Sequence, residues 1–128
     1  MPLSLPKKLL TIAALSLALS AGLGVLGWQR MQPKASERAT LAPAELHEAC
    51  FDIAPPTRLE YAFETSHAAQ FNLHYHEGEN ILFPVPEHLT QAEQSSFTPE
   101  SKQVYCLMWT NTSSKTLELA LSYQLHRR

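Results

Sequence analysis

Beyond Gly27 the chain has one glycine, Gly78, and along its whole length one aspartate, Asp52, and two cysteines, Cys50 and Cys106. So little glycine excludes the glycine-rich loops that cradle phosphates, and no nucleotide-binding fold is signalled. A Ser-His-Asp triad has only Asp52 to draw on, and neither Ser95-Ser96 nor Ser113-Ser114 stands in a nucleophile elbow. Basic residues are also few. Ten stand against twelve acidic ones, for a net charge of -2, and without Lys7 and Lys8 the balance is eight against twelve. A mildly acidic chain with no basic cluster excludes nucleic acid as a partner. Prolines recur at Pro33, Pro43, Pro55, Pro56, Pro84, Pro86 and Pro99, which argues against long helices.

What the chain does have begins with an uncharged apolar stretch, Leu9 to Trp28, preceded by Lys7 and Lys8 and followed by Arg30. As a helix it spans roughly 30 Å, the thickness of a hydrocarbon core. Residues 1–8 are expected on the cytoplasmic side, residues 9–28 in the membrane, and residues 29–42 in a polar linker. Residues 43–128 are then an extracytoplasmic, periplasmic domain. The rival for the first segment is a cleaved signal peptide ending near Ala18-Leu19-Ser20. The apolar run continues to an interfacial tryptophan, which favours a retained anchor. An even pair of cysteines in an exported domain is most simply a disulfide, Cys50 to Cys106, with two buried free thiols as the alternative.

The rest reads as short strands. Arg58 to Glu64 alternates, with Leu59, Tyr61 and Phe63 on one side. Phe71, Leu73 and Tyr75 alternate with Asn72, His74 and His76, and Gly78 turns this strand into a second arm, Ile81 to Val85. Gln103 to Trp109 is apolar on both faces, as a strand buried between layers is. Leu117 to His126 alternates without a break. Cys50 to Ile53 is a further short strand. Pro43 to Ala49 reads as a turn or two of helix, and Glu87 to Glu100 as a long loop with a helical turn. The fold class expected is all-β, a small antiparallel β-sandwich of about six to seven strands preceded by one N-terminal transmembrane helix.

The alternating strand Phe71 to His76, the turn at Gly78, the long loop, the run Tyr105-Cys106-Leu107-Met108-Trp109-Thr110-Asn111 and a closing strand through Tyr123 resemble the GOLD (Golgi dynamics, emp24) type of β-sandwich over roughly residues 50–126. The resemblance implies a binding or assembly module with no catalytic residues. It carries no role in cargo sorting, because the anchor here is N-terminal and there is no coiled coil.

All six histidines follow the anchor. His74 and His76, at i and i+2, share a strand face with Cβ atoms about 7 Å apart, close enough to converge on a metal. Glu77, Glu79 and His88 stand near in sequence. The pair is similar to the His-x-His of cupin metal sites, but Asn80 and Ile81 stand where a cupin places its acidic ligand, so a cupin is not expected. Met108 with Cys106 and a histidine would suit copper, while core packing is the ordinary explanation of a methionine in an apolar strand. Asn111-Thr112-Ser113 has the form of a glycosylation acceptor.

The function expected is therefore a non-enzymatic module on the outer side of the membrane, binding a protein or small ligand through His74, His76, Glu79 and His88, with no cofactor. The alternative is a periplasmic zinc or copper protein using His74, His76 and His88.

Overall fold

The computed structural model describes residues 34–127. The expected anchor at residues 9–28 lies outside them, and among the described residues no helix is long and apolar enough to cross a membrane. Six antiparallel strands make up the regular structure: β1 (Ala35–Leu41), β2 (Leu46–Ile53), β3 (Arg58–Glu77), β4 (Asn80–Phe97), β5 (Gln103–Thr110) and β6 (Leu117–His126). They form one sheet in the order β1-β6-β3-β5-β2, with β4 pairing β3.

The sheet curls because β3 serves two neighbours in turn. Arg58–Thr65 pairs with β6, whereas Gln70–His74 pairs with β5. Between these lengths the pairing with β4 slips, from Glu64 opposite Ala92 to Ala69 opposite Thr90. A bulge of this kind bends a strand and raises its twist. Thr65 Oγ1 fixes it, lying 2.7 Å from the His67 carbonyl and 3.1 Å from that of Gln91. The first half-sheet is thus β1, β6 and the start of β3, and the second is the end of β3, β5 and β2.

Odd-numbered residues face inward on every strand except β4, and they are the apolar ones: Leu59, Tyr61, Phe63, Ala69, Phe71 and Leu73 on β3, Tyr105, Leu107 and Trp109 on β5, and Leu117, Leu119 and Leu121 on β6. The halves meet at Phe63, Phe71 and Trp109, whose ring centroids lie 4.6 to 5.4 Å apart. At this spacing aromatic rings gain attraction beyond the area they bury. At the open side Phe51 of β2 packs edge-on against Tyr123 of β6 at 4.8 Å, and His47 of β2 bonds Glu37 of β1.

Several elements differ from the sequence reading. Ala35–Leu41, expected in the polar linker, is β1, paired along its length with Leu117–Tyr123 of β6. Pro43 to Ala49 is not helical: a turn at Pro43 and Ala44 leads directly into β2. Glu87 to Phe97 belongs to β4, an edge strand that is largely exposed, so neither face develops the apolar period by which strands are recognised. Arg58 to Glu64 and Phe71 to His76 are two parts of one strand. β5 meets the core through Tyr105, Leu107 and Trp109, while on its other face Val104 is exposed, Met108 half-buried and Cys106 buried.

Asn111 is fully buried. Its Nδ2 donates to Leu41 O at 3.0 Å and to Lys115 O at 2.7 Å, and its Oδ1 accepts from Ser113 N at 3.0 Å. The side chain therefore ties the end of β1 to the β5–β6 turn. In the folded chain it is not an accessible glycosylation acceptor.

Candidate functional site

The β3–β4 hairpin closes as its sequence indicates. Glu77 pairs Asn80 around Gly78 and Glu79, and Gly78 carries a φ of 62°. Positive φ at the first central position alone is the pattern of a II′ turn, which glycine adopts without a Cβ clash. This register places Ile81 beside His76 on the outer face of the second half-sheet, where Phe83 also lies, with its ring 6.0 Å from that of His74.

His74 is the centre of that face. It is 5% exposed, although it points away from the core, because Phe83, His76 and its cross-strand partner Cys106 cover it. Its Nδ1 lies 2.8 Å from Oδ1 of Asn72, itself only 1% exposed. An amide oxygen only accepts, so Nδ1 carries the hydrogen. Nε2 then points towards Glu48 Oε2, 3.5 Å away. Beyond Cys106 on β5 stands Cys50 on β2, in direct register, and the two form a disulfide. Three adjacent strands thus bring an imidazole, a carboxylate and a cystine together: Glu48, His74 and Cys106 offer ligand atoms within 4.8 Å of one another.

The other expected site residues are placed differently. His76 is exposed, and its ring centroid is 5.4 Å from that of His74. Glu79 sits exposed in the hairpin turn. His88 pairs with Phe71, packs edge-on against that ring at 5.8 Å, and so belongs to the opposite face of the hairpin. The triad His74, His76 and His88 is not assembled. Glu48 and Asn72 are the residues that reasoning from sequence passed over.

His88 has its own partners. Nδ1 donates to Pro86 O at 2.8 Å and Nε2 bonds Glu93. The Pro86 carbonyl first, and Glu93 second, raise its pKa above the ordinary 6.5. A histidine raised in the folded state stabilises below the unfolded pKa, and that contribution is lost as pH climbs through the folded value. Glu93→Gln is therefore expected to lower the urea midpoint at about pH 5.5 and to leave it nearly unchanged at about pH 8.5, with a loss below roughly 1 kcal/mol for so exposed a pair.

One contact resembles a hydrolytic dyad: Ser113 Oγ lies 2.7 Å from His67 Nε2. The hydroxyl also lies 2.7 Å from Asn111 Oδ1 and accepts from Lys115 N at 3.2 Å, while His67 Nδ1 faces Ser66 Oγ at 3.2 Å. Among the described residues no carboxylate orients the imidazole. The group fastens the β5–β6 turn to the bulge of β3.

Apolar surface gathers around the hairpin. Ile81, Phe83 and Val104 are 49%, 46% and 51% exposed. Across the hairpin from His74, Tyr75, Leu82, Phe97 and Tyr105 line an open cleft of about 420 Å³. On the first half-sheet, by contrast, small side chains such as Ser36, Ala62 and Ala120 floor a shallow groove of about 530 Å³.

Fold and site together define a curled, six-stranded antiparallel sheet with a disulfide and a partly apolar outer face. No family model matches the chain, and no curated protein matches it. Solved structures resemble it in fold. PliG of Aeromonas hydrophila, a periplasmic lysozyme inhibitor of g-type lysozyme, superposes with a TM-score of 0.57 at 10% identity, over 73% of this chain and 86% of its own. The Yersinia pseudotuberculosis-derived mitogen gives 0.56 at 12% identity, over 77% and 90%.

Proposed function

We propose that this chain is a non-enzymatic binding module, displayed on the outer side of a membrane, that docks a protein through the outer face of its second half-sheet. One observation carries this reading: on that face Ile81 pairs His76, the Phe83 ring lies 6.0 Å from that of His74, Val104 precedes Cys106 by two residues, and all three apolar side chains stay about half exposed where polar groups would cost the core nothing. An aromatic flanked by apolar residues and polar groups is the composition of an interface anchor. The cystine suits an oxidising compartment, in keeping with export past an anchor at residues 9–28. The Aeromonas protein of similar fold is named as an inhibitor of a lysozyme, itself a protein, which supports a protein as the class of partner. The GOLD-type resemblance implies a binding or assembly module.

A photo-crosslinking phenylalanine analogue at position 83 or 104, in cells that naturally make the chain, tests the reading. A discrete adduct is expected from both positions and none from position 94 on β4, which pairs Ala62 of the first half-sheet. Ile81→Asp should weaken the adduct at 83 by about tenfold or more. Adducts that ignore the face, or none at all, would overturn the proposal.

A further inference from the structure

We propose that Cys50, Cys106, His74 and Glu48 form a zinc site that the Cys50–Cys106 disulfide closes and its reduction opens. The donors come from three neighbouring strands and share one face. Cys106 stands opposite both His74 and Cys50, and Glu48 lies two residues before Cys50 on the same side of β2. The 3.5 Å between His74 Nε2 and Glu48 Oε2 is close to the edge of a tetrahedral zinc site with one nitrogen and one oxygen ligand, roughly 3.4 Å.

The imidazole is already held for this role. Asn72 Oδ1 accepts the Nδ1 hydrogen at 2.8 Å. In the neutral ring this leaves a lone pair on Nε2 aimed at a carboxylate oxygen. A cation between Nε2 and Oε2 would take one nitrogen and one oxygen ligand from this pair. A carbonyl-type oxygen that fixes the far nitrogen of a ligand histidine is the usual outer support of zinc sites. In the oxidised chain this cation position has only two strong ligands, because a disulfide sulfur is a poor donor. Reduction supplies two thiolates.

Cys50 is exposed, so its sulfur is open to attack. A dithiol attacks the disulfide through a mixed disulfide, gives up two electrons and two protons, and leaves as its own cyclic disulfide while both cysteines become thiols. Zinc then displaces the two thiol protons to solvent, and the sulfurs reach it by rotation about each Cα–Cβ bond. An oxidising disulfide reverses the sequence: two thiolates lose two electrons to form the cystine, the oxidant becomes two thiols with two protons, and zinc is released.

The test uses the full chain, oxidised or reduced by a dithiol that is removed by desalting under argon, with zinc titrated against a chromophoric chelator and cobalt as a spectroscopic substitute. The reduced chain is expected to bind one zinc at least about 100-fold more tightly than the oxidised chain, and cobalt to show thiolate charge-transfer absorption. Glu48→Gln, an exposed change that cannot disturb the core, and His74→Ala should each weaken the reduced form by about 10- to 100-fold. Circular dichroism follows the fold throughout. Equal affinity in both redox states, no binding when reduced, indifference to Glu48→Gln and His74→Ala, or zinc held without the strand signal would each overturn the proposal. None of these outcomes bears on the protein-docking face, which is scored by crosslinking alone.

Discussion

Trp109→Ala is expected to lower the unfolding free energy by about 3–5 kcal/mol, measured by urea denaturation. Trp109 is fully buried and sits where the curl brings Phe63 and Phe71, from the two halves of β3, onto one ring. Truncation removes the contact by which the half-sheets hold each other and leaves a cavity between rigid strands that cannot collapse into it. A domain of this size is stable by only roughly 5–14 kcal/mol in all, so the variant stands near its unfolding limit. Trp109→Phe separates packing from polarity. Among the described residues the buried indole Nε1 has no hydrogen-bond partner, and an unsatisfied buried donor costs about 1–3 kcal/mol. Phenylalanine removes that donor while losing part of the ring. Its loss should therefore be much smaller than that of alanine, under about 2 kcal/mol. A Trp109→Phe variant as unstable as Trp109→Ala would show that a six-membered ring alone restores nothing and that the full indole outline is needed at the site.

The same burial explains which parts of the fold were legible in the sequence. β6 and the first half of β3 alternate because one face meets the core and the other is more open to water, and the pattern of Leu117, Leu119 and Leu121 against Glu118, Ala120 and Ser122 records this. In the second half of β3 the alternation is one of polarity, since Asn72 and His74 are buried on the outer face. β4 has no such record. It runs along the edge, has β3 as its one ladder partner among the described strands, and exposes most residues on both faces, so no selection for burial wrote a period into Glu87 to Phe97. β1 escaped for a similar reason. Of its seven residues Leu41 alone is deeply buried, and the polar string Ser36-Glu37-Arg38 gives no sign that β6 will pair with it. The two halves of β3 read as separate strands because the register slip between Glu64 and Ala69 interrupts the alternation. The candidate site was half visible. The spacing of His74 and His76 shows a shared face, but only the register between β3, β5 and β2 sets Cys106 beside His74 and brings Glu48 to its Nε2. Register between distant strands is carried by the whole core, and no local motif encodes it.

Replacing both cysteines by serine is expected to cost about 4 kcal/mol, the chain-entropy value for a bridge across a separation of 56 residues. The effect falls mainly on the unfolded chain, because β2 and β5 are already joined by their ladder from Leu46–Thr110 to Ile53–Gln103. It also has a local part. Among the described strands β2 is the last of the sheet and has β5 as its one ladder partner, so without the bridge it is free to fray from that edge. Hydrogen exchange should therefore quicken first in β2 and only later in β3 and β5, while urea denaturation reports the global loss. A uniform rise in exchange would place the whole effect in the unfolded state. The comparison also separates the staple from the zinc site. Reduced wild-type chain loses the same bridge but keeps two thiols opposite His74, so zinc should return protection to β2 in that protein and not in the double serine variant. If zinc protects both equally, the thiols hold no metal and the disulfide acts as a staple alone.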